Sequence, residues 1–318
     1  MTLSFSTTKI PVPKSSVTAL LLAASLAACK ADPENPAETS GTSETAIESV
    51  SAPQSLVLAE RWMLDGFDAP ESVIQTADGT AYYVSNVGGD GTARDNDGAI
   101  SLISSDGLVI DRHWVTGTGS LPLHAPKGMA LQDNRLFVTD IDHIVVIDVS
   151  QGRVVQRLPA ANAGFLNDAA IGPNGTILIS DSAAARIYQL ENDDITVWLE
   201  DDRLGGINGL QMQDGRLLVT TMGAGELLSI DPATKSITGL ATGMENADGI
   251  GLRSDGSYVI SSWPGQLWHV RDGEAPVLLQ DTSGEEGAVL MNDILLVDDT
   301  TLITPNWRPG TVRAYRVE

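Results

Sequence analysis

Short runs in which apolar and polar positions alternate extend from Ser55 to Glu318. One plan occurs six times: a polar residue opens an apolar run, a Gly, Asn or Asp turn follows, and a second apolar run ends in small polar residues. Alternation with period two predicts strands, and a dipeptide such as Asp78-Gly79 between two such runs predicts a β-hairpin. The six opening residues, called anchors below, are Glu71, Lys127, Asn167, Asn208, Asp248 and Asn292.

The anchors recur about every 40 to 45 residues, apart from a longer first interval. A repeat of this length with room for four strands is typical of a β-propeller blade. We therefore predict an all-β, six-bladed β-propeller with four strands per blade. A two-sheet sandwich is the alternative, but it would not explain six equal units. Only three strands fit after Asn292, so Leu56 to Met63 is predicted to supply the missing outermost strand and close the ring.

The second strand of each hairpin is predicted from the apolar run that follows the turn. These strands are Ala81 to Ser85, Leu136 to Asp140, Ile177 to Asp181, Leu217 to Thr221, Tyr258 to Ser262 and Leu302 to Asn306. The final strand is predicted near Thr311 to Val317.

All six anchors are expected at one mouth of the central channel, because each opens the innermost strand of its blade. The loops after the second strands are expected on the same face. They contribute Asn86, Asp140, Ser182, Met222, Trp263 and Trp307. The longest insertion, residues 87–98, is called the rim loop and is expected to overhang this face. Its aspartates do not complete an EF-hand pattern, so we favour a mobile rim over a second ion site.

The anchors combine two carboxylates, three amides and one amine. Carboxylates that share a channel raise each other's pKa unless a cation lies between them. Because oxygen-only ligands favour a hard ion, we predict one divalent metal on Glu71, Asn208 and Asp248, with Ca²⁺ the first choice and Mg²⁺, Mn²⁺ or Zn²⁺ as alternatives. A structural zinc site is disfavoured, since no anchor is Cys or His. The other interpretation is that these side chains only cap strands and bind neighbouring backbone.

The chain of 318 residues carries 42 acidic and 19 basic side chains, which gives a formal charge of −23. Proteins that bind nucleic acid through phosphate contacts are basic, so that class is excluded. A single cysteine excludes a disulfide scaffold and a thiolate metal site. We expect a monomer that binds a small molecule.

The N-terminal segment has the features of an export signal. Two lysines precede an uncharged apolar run, and Leu26-Ala27-Ala28-Cys29 resembles the lipobox of bacterial lipoproteins. We predict a signal peptide over residues 1–28, lipidation of Cys29, and a disordered acidic tether over 29–54 before the propeller of 55–318. The expected location is the bacterial cell envelope, anchored by lipid in the outer membrane and facing the periplasm. The alternative is a soluble exported protein in which Cys29 has no role.

Four short blocks around the anchors are similar to those of a known propeller family. They are Pro70-Glu71-Ser72-Val73, Phe165-Leu166-Asn167-Asp168, Ile207-Asn208-Gly209-Leu210 and Ala247-Asp248-Gly249-Ile250. As a set they resemble the senescence-marker-protein/gluconolactonase family of six-bladed propellers and, more distantly, the paraoxonases. The resemblance implies Glu71, Asn208 and Asp248 as ligands of a divalent metal, and Asn167 as a contact to substrate or metal. Members of this family open lactones or hydrolyse related esters and phosphoesters.

One block departs from the paraoxonase pattern, since Pro126-Lys127-Gly128 carries Lys where a His is expected. A histidine-dyad mechanism is therefore not supported, and the nearby His124 is expected to be a surface residue. Lys127 would stabilise an oxyanion or bind a substrate carboxylate, or would instead form an ion pair that competes with the metal.

The predicted activity is metal-assisted hydrolysis of a lactone or ester. The ion polarises the carbonyl, and Asp248 or a metal hydroxide serves as base. Trp263 and Trp307 form apolar walls for the substrate. The alternative is a non-catalytic, envelope-tethered propeller that binds a ligand or protein partner over the same face.

Overall fold

A computed structural model describes residues 56–284 and 288–318. The predicted signal peptide, Cys29 and the predicted tether lie outside the described residues. Within the described part of the chain, no helix has the length and apolar character needed to cross a membrane.

Five blades are four-stranded antiparallel sheets whose strands follow one another outwards from the channel. Blade 1 contains β2 (Pro70–Gln75), β3 (Ala81–Asn86), β4 (Ala99–Ser104) and β5 (Val109–Thr116). Blade 2 contains β6 (Pro126–Gln132), β7 (Arg135–Asp140), β8 (His143–Asp148) and β9 (Arg153–Pro159). Blade 3 contains β10 (Leu166–Ile171), β11 (Ile177–Asp181), β12 (Arg186–Glu191) and β13 (Asp194–Glu200). Blade 4 contains β14 (Ile207–Gln213), β15 (Arg216–Thr221), β16 (Glu226–Ile230) and β17 (Ile237–Thr242). Blade 5 contains β18 (Ala247–Leu252), β19 (Tyr258–Ser262), β20 (Gln266–Val270) and β21 (Val277–Asp281).

The sixth blade joins the two ends of the described chain. It contains β1 (Leu58–Leu64), β22 (Leu290–Met291), β23 (Leu295–Asp298), β24 (Thr301–Arg308) and β25 (Thr311–Val317). Strand β1 pairs antiparallel with β25, from Leu58 opposite Val317 to Leu64 opposite Val312. The innermost strands of successive blades contact one another in a closed cycle. The six-bladed propeller and its closure by the first strand are therefore confirmed.

The hairpin strands agree closely with the sequence prediction. The second strands of blades 3 and 5 have the predicted bounds, and those of blades 2 and 4 begin one residue earlier, at Arg135 and Arg216. Two 3₁₀ turns, Pro173–Gly175 and Asp202–Leu204, interrupt the connections around blades 3 and 4.

The hydrophobic core lies between neighbouring blades. One cluster, for example, packs Phe137 and Ile144 of blade 2 against Leu166, Ile179 and Tyr188 of blade 3. Because each sheet buries both faces against its neighbours, the blades pack radially and surround a channel.

Each innermost strand is irregular at its anchor. In blades 1 to 5 the pairing register shifts across the anchor and the next residue, as between Pro70 and Val73 in blade 1. In blade 6 the innermost strand is divided into β22 and β23, with Asn292 between them. Since a bulge turns a side chain out of the regular alternation, this irregularity brings the anchors to the channel mouth.

Candidate functional site

The six anchors meet in one cavity at the channel mouth, as the sequence predicts. The cavity has a volume of about 380 Å³, and its wall also includes Gly91, Phe165, Met222, Trp263 and Trp307. The anchors themselves are buried. Of the six residues predicted from the loops after the second strands, Met222 and the two tryptophans line this cavity.

Two other predicted loop residues, Asp140 and Asn86, do not line the cavity but form hydrogen bonds near it. Asp140 is fully buried and accepts hydrogen bonds from the backbone N–H groups of His124 and Ala125, and it pairs with Arg157. Asn86 is also buried, and its amide bonds to Val84 and Ser101. Side chains that bond backbone in this way hold the preceding loop in place.

The two anchor carboxylates are only partly compensated. Glu71 is 6% exposed, and its Oε2 is a buried atom with no hydrogen-bond partner. Burial, followed by the charges of Asp248 and Asp293, raises the pKa of Glu71 well above its usual range. Burial and the charge of Asp293 likewise raise the pKa of Asp248, while a hydrogen bond from Asn208 opposes that shift. An unpartnered buried carboxylate oxygen is costly unless a cation or donor meets it.

Two of the three anchor amides are oriented by hydrogen bonds that their nitrogen atoms donate. Asn292 Nδ2 donates to the carbonyl of Pro70 at 3.3 Å. Asn167 Nδ2 donates to Ser182 Oγ at 3.3 Å, because the hydroxyl donates its own hydrogen to the carbonyl of Ile207. The amide oxygens of Asn167 and Asn292 are left as the groups available to a ligand.

This donor set fits a hard divalent cation. Two carboxylates and three amide oxygens are oxygen acceptors of the kind that Ca²⁺, Mg²⁺ and Mn²⁺ take. In the described residues, no group of three or more His, Cys, Asp or Glu side chains is arranged to hold a metal. An ion in this cavity would therefore depend on Glu71, Asp248 and amide oxygens together.

Lys127 does not neutralise these carboxylates by direct contact. Its Nζ donates to the carbonyls of Gly91 and Ala125, each at 3.0 Å, and lies 4.5 Å from the centre of the Phe165 ring. Burial lowers the pKa of Lys127, and the charge of Glu71 opposes that shift. The ammonium therefore binds backbone carbonyls, and the alternative interpretation of Lys127 as an ion-pair partner that competes with a metal has no support in these contacts.

The rim loop overhangs the cavity, as predicted, and is fastened at three points. Lys127 holds Gly91, and Arg94 forms an ion pair of 2.8 Å with Asp142. The backbone N–H of Asn96 donates to Nδ1 of His124 at 3.1 Å. His124 therefore supports the rim loop, and its ring is not part of the cavity wall.

The sequence analysis missed a second pair of carboxylates, one residue beyond two of the anchors. Asp168 accepts hydrogen bonds from the backbone of Ala169 and Leu210, both at 2.7 Å. Asp293 accepts from Ser72 Oγ at 2.6 Å and from the backbone of Ile294 at 2.7 Å. Both carboxylates line a separate cavity of about 150 Å³.

A signal for this pair exists in the repeats. The residue after the anchor is Ser or Gly in blades 1, 2, 4 and 5, and Asp in blades 3 and 6. Glycine is needed beside the aspartates, because a β-carbon at Gly128 would clash with Asp168 and one at Gly249 would clash with Asp293. Each aspartate thus bonds a group on the following blade and links neighbouring blades around the channel.

These buried carboxylates give an expected pH dependence of stability. Burial raises the pKa of Asp293 to about 6, so the folded protein binds this proton more tightly than the unfolded chain does. Stability contributed by Asp293 should fall as pH rises from about 4 to about 6, by an amount on the order of 2 kcal/mol. The pKa values of Asp142 and Asp255, at about 2, have the opposite effect only in more acidic solution.

The measurement is thermal unfolding in chelator between pH 4 and pH 7. Asp293→Asn should reduce the loss of melting temperature across this range, whereas Asp214→Asn, an exposed control in the turn between β14 and β15, should follow the unmodified protein. A slope that is the same for both variants would contradict the assignment.

Comparisons with known proteins support the architecture. Neither a family model nor a curated protein matches the chain. The chain is similar to a catalytically inactive variant of virginiamycin B lyase from Staphylococcus aureus with quinupristin. The TM-score is 0.58 at 14% identity, over 82% of this chain and 99% of that chain. A streptogramin B lyase matches with a TM-score of 0.59 at 10% identity, over 83% of this chain and 98% of that chain.

Identities this low establish the shared propeller fold alone. The six-bladed fold that the senescence-marker-protein/gluconolactonase resemblance implies is confirmed, and the two structural neighbours are lyases by name. Because one fold hosts many activities, the chemistry of this protein has to be argued from its own cavity.

Proposed function

We propose that the protein is a metal-dependent hydrolase of lactones or related esters. The observation that carries the proposal is the buried, unpartnered Oε2 of Glu71 in one cavity with a second carboxylate and three amides. Glu71, Asn208 and Asp248 would hold one divalent ion, with Ca²⁺ the first choice. Such an ion polarises a carbonyl and lowers the pKa of bound water, which is what opening of a lactone or ester requires.

The chain's own residues supply the remaining roles. Asp248 is the proposed base, because its carboxylate lies in the same cavity as the proposed ion site and would accept the proton of a water molecule held there. Lys127 lines the same cavity and stabilises the negative charge that develops on the carbonyl oxygen. Asn167, Trp263 and Trp307 position the substrate. The two indoles lie edge to face, with their ring centres 6.3 Å apart.

The proposal is tested with metal-free protein reloaded with Ca²⁺, Mg²⁺, Mn²⁺ or Zn²⁺. A panel of lactones and esters is incubated in ¹⁸O-labelled water, and the products are analysed by mass spectrometry. A carboxylic acid that contains solvent oxygen supports hydrolysis. An unsaturated product without solvent oxygen would replace hydrolysis by elimination, the reaction class that the names of the lyase neighbours suggest. Ligand binding without turnover would favour a non-catalytic, envelope-tethered propeller.

Ser182 offers a test of the amide orientation. Ser182→Ala should free the Asn167 amide to rotate and raise KM about tenfold, with a smaller change in kcat, as for other partners that orient a ligand. Ser182→Thr keeps the hydroxyl and should restore most of the loss. Steady-state kinetics of the two variants test whether Ser182 orients the Asn167 amide. An unchanged KM in Ser182→Ala would exclude this role of Ser182.

A further inference from the structure

A second cavity adjoins the first on the same face. It lies between blades 6 and 1 and has a volume of about 870 Å³. Its wall is formed by the connection from β1 to β2, the rim loop, β22 and the turn from β24 to β25. We call it the groove, and its main wall residues are Phe67, Gly89, Leu290, Trp307, Arg308 and Pro309.

Trp307 is a wall residue of both the groove and the anchor cavity. The rim loop also spans the two, since Gly89 lines the groove and Gly91 lines the anchor cavity. A β-carbon at Gly91 would lie 3.9 Å from Cη2 of Trp307, so the loop passes directly over the indole. Trp307 and the rim loop therefore form the border between the two spaces.

Apolar side chains line much of both spaces. Above its polar floor, the anchor cavity is lined by Phe165, Met222, Trp263 and Trp307. The groove adds Phe67, Leu290 and Pro309, with the charged side chains of Asp68 and Arg308 at its exposed edge. Against the apolar part of these walls, a polyhydroxylated ring would lose hydrogen bonds to water. An alkyl or acyl chain gains free energy there through burial.

We propose that the groove is a subsite for an apolar chain carried by the lactone or ester whose carbonyl lies at the anchors. The substrates are then lipophilic, long-chain lactones or esters and not sugar lactones. This inference rests on the proposed hydrolase function and adds the substrate class to it.

The test uses γ-lactones whose alkyl substituent grows from none to eight carbons, with a sugar lactone for comparison. For wild-type protein, kcat/KM should rise up to about fourfold per methylene, which corresponds to the gain of about 0.8 kcal/mol for a fully buried methylene. Leu290→Glu should flatten this dependence, and Leu290→Ala should reduce it without a charge. Leu278→Glu, on the exposed outer strand of blade 5, is the matched control and should leave it unchanged.

The outcomes separate the two proposals. Turnover of all lactones at rates independent of chain length, or equal chain-length dependence in Leu290→Glu and Leu278→Glu, overturns the groove and leaves the hydrolase. Absence of any turnover overturns the hydrolase. Calorimetry with the same lactones then decides the groove: binding that strengthens with chain length and is lost in Leu290→Glu supports it, and binding independent of chain length overturns it.

Discussion

Replacing Glu71 with Gln is expected to abolish binding of the divalent ion and to lower kcat/KM at least a hundredfold, since single charge-stabilising groups are commonly worth that much. Gln keeps the size of the side chain and removes its charge. Asp248→Asn should have an equal or larger effect, because it removes the negative charge of a proposed ligand and also the proposed base. Lactone hydrolysis after treatment with chelator should fall to the same level.

Loss of activity in Glu71→Gln could also result from unfolding, but the structure predicts that this variant stays folded. The burial that raises the pKa of Glu71 makes its charge costly in the metal-free protein, so Glu71→Gln should melt at the same temperature or higher in chelator. Glu226→Gln, at the start of β16 and away from the cavity, is the control and should retain full activity. Unchanged hydrolysis in Glu71→Gln would remove this residue from the mechanism.

Deleting β1 is expected to destabilise the whole ring. Its half-buried side chains Leu58, Trp62 and Leu64 pack against clusters that include Tyr315 and Ile303. Three such side chains contribute on the order of 3–5 kcal/mol, a large part of the usual 5–15 kcal/mol stability of a protein. The deletion also leaves the edge of β25 unpaired and open to association with other chains.

Two truncated proteins make the comparison. A chain that begins at Leu56 keeps β1 and should melt at the temperature of the full chain. A chain that begins at Asp65 should melt at least about 10 °C lower and elute from gel filtration as larger species. If both proteins melt together as monomers, closure by β1 does not stabilise the ring.

Most of the architecture follows from local signals repeated six times. Turn dipeptides such as Asn174-Gly175 and Asp214-Gly215 fix where one strand ends and the next begins, so the predicted hairpin strands lie within one or two residues of the observed ones. The closing strand follows from a count of strands. The division of the last innermost strand at Asn292 occurs at the position where the innermost strands of the other blades are irregular, and the alternation of apolar and polar residues does not predict it.

The sequence predicted those site residues whose positions follow from the sixfold repeat. It did not predict those whose positions depend on packing between loops. The anchors share one register, so their convergence follows from the propeller itself. Phe165 reaches the cavity from the residue before β10, and the ammonium of Lys127 binds backbone carbonyls of two loops. The contact between Lys127 and Gly91 joins residues of two different blades, and the pattern of a single repeat does not encode it.

The most direct test of the central claim is a crystal structure grown with Mn²⁺ and examined by anomalous scattering, then repeated with Ca²⁺. The account predicts one ion in the anchor cavity, with oxygens of Glu71, Asn208 and Asp248 about 2.4 Å from Ca²⁺, and no ion there in Glu71→Gln. A cavity without an anomalous peak, or a peak that survives in Glu71→Gln, would contradict it.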